Sequence, residues 1–362
     1  MDKNLQESFI DIVRLGIGQH ALNPPSDFNW TAIKTFAERQ GLSAVVVDGI
    51  EQLPENQRPP KELLLEWIGE VLQSYEYRYG QYRTAIAELA SFYNSHGYKM
   101  MVLKGYACSL DWPKPEHRPC GDIDIWQFGN QKEADAALVS SFKFQVPSFK
   151  IDKSHHHHTV FNWGEFTVEN HYDFVNVHAH RSSAELEKVF KELGKDDSYY
   201  VEIGGNRVYI PSPNLHALFL IKHMVSHFAA AEISLRQVFD WAFFVEKHTK
   251  EIDWKWLDGM LEKYGMKDFV NCISGICVED LGFDAGAFHE EKSLPGLKER
   301  ILMDILNPEY TSEEPTGFMS RMVYKLKRWH GNAWKHDLCY KESRWDSFWS
   351  GIWAKIIKPS SF

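Results

Sequence analysis

Cysteine is scarce and poorly placed for cross-linking. The 362 residues include five, at positions 108, 120, 272, 277 and 339. An odd, scattered set excludes a disulfide framework, and no Cys-x-x-Cys pair marks a zinc site. No 18-residue run is both apolar and uncharged, so no transmembrane helix is expected. The first residues, MDKNLQESFIDIVRLGIG, carry charges throughout and lack the apolar core of a signal peptide. A cytoplasmic location is expected. Internal repeats and low-complexity tracts are also missing. Positive charge is in deficit: 40 Lys and Arg face 50 Asp and Glu, a net −10. That balance argues against a dedicated binder of duplex DNA, which needs a basic face. The deficit is uneven, because residues 317–362 hold nine basic and three acidic residues and five of the 13 tryptophans. This tail reads either as a helical cap with packed tryptophans or as a surface for anionic lipid or nucleic acid.

What is present is globular. Hydrophobic residues make up 44% and charged residues 25%, and the length implies two or three domains. Residues 1–97 read as helical. Phe9, Ile10, Ile12, Val13, Leu15 and Ile17 form an apolar stripe; Thr31 or Asn29 caps a second helix that Gly41 stops; a long helix runs from about Lys61 to His96. Residues 98–212 change character. YKMMVLKG (98–105) is an apolar strand entering a glycine turn, and GDIDIWQF (121–128) alternates with period two. Residues 132–142 are helical. A hairpin turns at Trp163-Gly164-Glu165, and 207–213 is a last short strand. Helices return over 213–362. The fold class is therefore α+β, a mixed sheet with helices, flanked by helical segments.

The chemistry concentrates in MMVLKGYACSLDWPKPEHRPCGDIDIW. On a strand, Asp122 and Asp124 project from one face with Cα atoms roughly 6.6 Å apart. Two such charges on a core strand are costly unless a cation or hydrogen bonds compensate them, and Mg²⁺ prefers carboxylate oxygens together with substrate phosphates. Lys104-Gly105 closes the preceding strand, where glycine lets backbone N–H groups approach a phosphate and the lysine adds a point charge. Arg118, four residues before Asp122, is placed either to reach a triphosphate or to form a surface ion pair. Within TVENHYD, Thr167, Glu169 and His171 share a strand face opposite Val168 and Asn170. Glu169 thus offers a third carboxylate, flanked by an imidazole.

This ordered set resembles the polymerase-β-like nucleotidyltransferases, and more narrowly their bacterial "uncharacterised nucleotidyltransferase" family. That family shows Leu-Lys-Gly, then Arg-x-x-x-Asp-Ile-Asp, then Val-Glu-x-His, then Leu-Arg-x-x-x-Asp on a helix. The resemblance covers about residues 30–250. It implies a minimal nucleotidyltransferase core with Asp122 and Asp124 as the metal pair, Glu169 as the third acid and Lys104-Gly105 as the phosphate turn. Arg118, His171, Arg236 and Asp240 would line the nucleotide or acceptor cleft. One departure is the turn itself, Lys-Gly where the superfamily usually has Gly-Ser.

The implied activity is Mg²⁺-dependent transfer of a nucleotidyl group, usually AMP, from an NTP. The acceptor would be a hydroxyl on a small molecule, a protein or a tRNA end. Two alternatives stand beside it: a degenerate core that binds nucleotide or a partner without turnover, and a metal-dependent hydrolase built on histidines. His223 and His227, at i,i+4, have metal-ligand spacing but read more simply as packed helix residues. Arg236 and Asp240 share that spacing and suggest an intrahelical ion pair. His155–His158 begin a strand, so His156 and His158 would face together, either to join the site, to bind adventitious transition metals or, more simply, to stand solvated at the strand start. Asp124→Asn is expected to relieve like-charge repulsion and leave stability unchanged or slightly raised.

Overall fold

The computed structural model describes residues 3–20, 28–142, 149–178, 180–289, 294, 296–346 and 349. The expected helices form for local reasons. Asn29 Oδ1 accepts the Ala32 N–H at 3.2 Å to start Trp30–Gln40, and Gly41, at φ 67°, ends it in the left-handed conformation. The long helix is not uniform. Lys61–Val71 and Arg78–Ser95 are α-helical, but the six residues Leu72–Tyr77 between them are wound as π-helix.

Six strands make one mixed sheet: β1 (Met101–Val102), β2 (Ile123–Trp126), β3 (His158–Trp163), β4 (Phe166–His171), β5 (Tyr200–Ile203) and β6 (Asn206–Tyr209). Their spatial order is β3-β4-β2-β1-β6-β5. The β2–β4 and β1–β6 pairs are parallel, and the β1–β2, β3–β4 and β5–β6 pairs are antiparallel. Gly164 makes the β3–β4 turn at φ 59°. Three strands are shorter than the sequence suggests: β1 is two residues, β3 starts at His158, and β2 starts at Ile123, leaving Asp122 just outside. The sheet also contains β5, and the helix Ser183–Leu193 precedes it, two elements beyond those expected from sequence.

One sheet face is apolar. Ile123, Ile125, Phe161, Val168 and Val208 pack with Tyr82, Ile86, Leu89 and Tyr93 of the helix Arg78–Ser95, and with Ala134 and Leu138 of the helix Gln131–Phe142. The alternation that buries Ile123 and Val168 sends Asp124 and Glu169 to the other face.

The chain forms two compact units. One comprises Met1–Tyr77, Asp111–Pro119 and Leu220–Lys341; the other comprises Arg78–Leu110, Cys120–Phe219 and Glu342–Phe362. The first is helical, and its later part contains the expected run Leu235–His248, Trp254–Tyr264, Lys267–Gly275, Leu297–Leu306, Phe318–Gly331 and Ala333–Cys339. A capping box starts Leu235–His248, with the Ser234 N–H donating to Gln237 Oε1 at 2.7 Å. In the basic tail, Trp334 packs on Phe228 and carries the Arg300 guanidinium 3.9 Å from its ring centroid, while Trp345 and Trp349 are exposed. Trp353 lies outside the described residues. No described helix is long and apolar enough to cross a membrane.

Candidate functional site

Strand register builds the site. The parallel β2–β4 pairing sets Asp124 directly opposite Glu169 and Trp126 opposite His171. Glu169 and His171, two apart on β4, share the face that Asp124 occupies. Asp124 is only 2% exposed, and two side chains converge on its Oδ1: Lys104 Nζ at 2.7 Å and His171 Nε2 at 2.9 Å. Glu169 Oε2 lies 3.7 Å from His171 Nε2 and 3.6 Å from His158 Nδ1. The ligand-capable atoms of Asp124, Glu169 and His171 all lie within 4.8 Å of one another.

Electrostatics divides the two acids. Burial alone would raise the Asp124 carboxyl, but Lys104 and His171 outweigh it and hold the group well below the usual carboxylate range. Glu169 goes the other way, pushed up by burial and then by the Asp124 charge. Burial pulls the Lys104 ammonium down, yet Asp124 keeps its affinity for the proton raised. A buried carboxylate whose charge is neutralised thus sits beside a second carboxylate poised to take up a proton.

The turn before Asp124 is closed to other residues. Gly105 sits at φ 43° and ψ −99°, and a Cβ there would fall 2.4 Å from the Tyr82 hydroxyl. That hydroxyl is engaged, donating to the Asp122 carbonyl at 2.8 Å. Asp122 itself is exposed, one residue before β2. Its charge acts on Lys104 and Glu169, but among the described residues it joins neither three-residue group with metal-holding spacing. The acid set expected from sequence is therefore drawn together as Asp124 and Glu169, with His171 in the third place.

The face beneath is braced. Asn170 donates from Nδ2 to Asp135 Oδ1 at 2.8 Å, and Asp135 Oδ2 accepts from Gln131 Nε2 at 2.5 Å and from the Thr159 hydroxyl at 2.9 Å. This buried network anchors the strand that carries Glu169 and His171. Asp135 carries no motif, but Asn170 on the core face of a strand signals it, because a buried amide needs a partner.

The other predicted residues have partners within their own units. Within the first unit, Arg118 forks onto Asp240, with Nε at 2.7 Å from Oδ1 and Nη2 at 2.9 Å from Oδ2. Trp112 Nε1 donates to the same Oδ1 at 2.9 Å. Arg118 is 6% exposed and bound by carboxylate, so the solvent-facing reach toward a triphosphate is not what this conformation presents. Asp240 is held by Arg118 and Trp112, and Arg236, four residues earlier on the same helix, adds its charge near the Tyr75 hydroxyl. In the second unit, His216 Nε2 lies 3.7 Å from Cys108 Sγ. The His223 and His227 rings pack against each other at 4.4 Å, outside either metal-spaced group.

The histidine run corrects a parity argument. Because β3 begins only at His158, alternation does not extend back to His156. The ring that joins His158 and His171 is His157, and these three form the second group with ligand atoms within 4.8 Å. Burial, then the charge of His171, lowers His157 to about 2 and His158 to about 3.

A mixed sheet with an opposed acid pair, and a lysine and glycine at the adjoining turn, is the frame on which the comparisons bear. The chain belongs to the family described as uncharacterised nucleotidyltransferase, whose model matches residues 26–282. That span contains Lys104, Asp122, Asp124, Glu169 and His171. Among solved structures, the chain is similar to an antigenic nucleotidyltransferase-like protein from Paracoccidioides brasiliensis. The TM-score is 0.33 and the identity 14%, covering 57% of this chain and 96% of that one. No curated protein matches the chain.

Proposed function

We propose that this nucleotidyltransferase-family chain moves AMP from ATP, with Mg²⁺, to a hydroxyl of an acceptor that is a small molecule, a protein or a tRNA end. The observation that carries the reading is the pairing of Asp124 with Glu169 across β2 and β4, with Lys104 on the same carboxylate. The donor set suits a divalent cation: two carboxylates with ligand atoms within 4.8 Å, one of them neutralised by an ammonium in its place. Asp124, Glu169 and the nearby Asp122 would hold it. A bound cation would supply charge compensation for the triphosphate and polarise the attacking oxygen.

The chain's own groups divide the remaining work. In the reaction, the acceptor oxygen bonds to the α-phosphorus while the bond to the β-phosphate oxygen breaks, releasing pyrophosphate. Glu169, with its raised proton affinity, takes the acceptor proton. His171 fixes the Asp124 carboxylate from one side. Lys104, freed from Asp124, moves its charge to the leaving phosphates, and Gly105 allows the backbone to approach them closely. Catalysis on this scheme is positioning and electrostatic stabilisation.

The Lys104–Asp124 bond also favours a second reading, a core whose internal cation replaces the metal and which binds nucleotide without turnover. Incubation with each labelled NTP, Mg²⁺ and a cell extract separates them. Label transferred to a discrete acceptor, with pyrophosphate released, supports the enzyme; nucleotide-dependent heat stabilisation without pyrophosphate supports the binder. Absence of both responses would overturn both readings.

A further inference from the structure

We infer that His157, His158 and His171 form a site for a borderline transition-metal ion such as Zn²⁺ or Co²⁺, additional to the carboxylate site. Each of the three offers a ring nitrogen, and these lie within 4.8 Å of one another. A tetrahedral ion with bonds of about 2.0–2.1 Å needs its ligands roughly 3.3 Å apart, so modest side-chain rotation closes the set. Imidazole nitrogens suit Zn²⁺ and Co²⁺, whereas Mg²⁺ prefers oxygen.

Unsatisfied nitrogens make the case. His158 is 5% exposed, and neither of its ring nitrogens has a hydrogen-bond partner; His157 Nδ1 is likewise buried and unpartnered. Buried polar atoms of native proteins nearly always find partners. Here two adjoining rings each hold an unpartnered nitrogen, and one metal ion can take a lone pair from each.

The third ring has the matching tautomer. His171 Nδ1 lies 3.2 Å from the Asp173 carbonyl, which can only accept, so Nδ1 carries the hydrogen there. That leaves Nε2 pointing at Asp124 Oδ1 and Glu169 Oε2, an arrangement that requires a proton or a cation between the acceptors. A ligating histidine held through its far nitrogen by a backbone carbonyl is a common metal-site device.

The scaffold is rigid. His158 stands opposite His171 in the β3–β4 register, and the His157 carbonyl accepts the N–H groups of Tyr172 at 3.0 Å and Asp173 at 3.1 Å. The remaining two histidines of the run are not in the three-residue group: the His155 ring stacks on His158 with centroids 4.6 Å apart while its side chain is 45% exposed beside Asp152, and the His156 ring packs on His178. The run is thus divided by the start of β3 rather than acting as a polyhistidine chelator. His171 is common to both ligand groups, so an ion held through Nε2 takes the place of the proton between that nitrogen and Asp124, and its binding is read without turnover.

The test reads metal binding directly on the full chain. Co²⁺ is added in the presence of excess Mg²⁺, with the visible ligand-field bands and the bound stoichiometry recorded, followed by displacement with Zn²⁺. One Co²⁺ per chain, with bands that Zn²⁺ bleaches, is expected for the wild type. His157→Gln and His158→Gln should each weaken binding at least about 100-fold, as loss of a direct ligand exceeds loss of an outer-shell partner. The double variant His155→Gln/His156→Gln should bind as the wild type does. Absence of Co²⁺ binding by the wild type would overturn the site. So would equal loss in the His155/His156 variant, which would assign binding to the exposed part of the run. Circular dichroism reports whether each variant folds, and the wild-type and double-variant results decide the matter even if a ligand variant does not.

Discussion

At the residue scale, Asp124 shows how a partner reverses an expectation. Seen only beside Asp122, its removal should relieve repulsion. In the structure it is the buried counter-charge of Lys104 and the acceptor of His171, both on Oδ1. Asp124→Asn should therefore destabilise the fold, on the order of 3 kcal/mol, because breaking a buried pair strands the surviving charge. It should also abolish transfer, and chemical denaturation beside a pyrophosphate assay would check both effects. A variant as stable as the wild type would mean that Lys104 finds another partner. The acid pair itself was legible in sequence, because period two places Glu169 and His171 together whatever the rest of the fold. Two assignments were not. His157 depends on where β3 starts, and the Arg118 fork depends on Asp240, 122 positions away; no local pattern encodes either.

At the element scale, the segment after β4 is stapled by one carboxylate. Glu187, on the helix Ser183–Leu193, accepts the backbone N–H groups of Phe174 at 3.1 Å and Val175 at 3.0 Å. Burial nonetheless pushes it up to about 7. A group whose folded proton affinity is raised contributes stability that is complete below its unfolded value and disappears as pH rises through the folded one. Between pH 4.5 and 7 the wild type should thus lose stability relative to Glu187→Gln, which cannot ionise. The relative loss is on the order of 3 kcal/mol at full effect, measured by urea denaturation of both proteins across that range. A difference that does not change with pH would show that the two N–H donors keep the carboxylate charged. This helix and β5 were missed in sequence. For β5 the signal was present: Gly204 and Gly205, at φ 57° and 75°, form the two-residue turn that such hairpins demand. For the helix the signal was present too: Leu186, Val189, Phe190 and Leu193 fall at i, i+3, i+4 and i+7, the stripe of an amphipathic helix.

At the scale of the whole molecule, composition and pattern gave the α+β class and its helical flanks, but compact units follow space rather than sequence. The helix Arg78–Ser95 belongs with the sheet, to which it contributes Tyr82, Ile86, Leu89 and Tyr93. Each of these buries apolar surface worth roughly 1.5–3 kcal/mol, a total comparable with the stability of a typical domain. A fragment of residues 98–212 should therefore lack dispersed amide resonances and exchange its amides rapidly, while 78–219 should recover protection in the sheet. Equal protection in both fragments would remove the helix from the core. The interleaving also sets an order of assembly during synthesis. Every residue of the acid and histidine groups lies between positions 104 and 171, inside the unit whose main segments end at Phe219. The first 77 residues must instead wait for Leu220–Lys341, another 122 residues. At about 5–20 residues per second, the ribosome needs roughly 6–24 s to supply them. Residues 1–77 are thus made early and complete their contacts late: until then Gln40 lacks the backbone groups of Ile305 and Leu235 that it binds, while the sheet already has its strands.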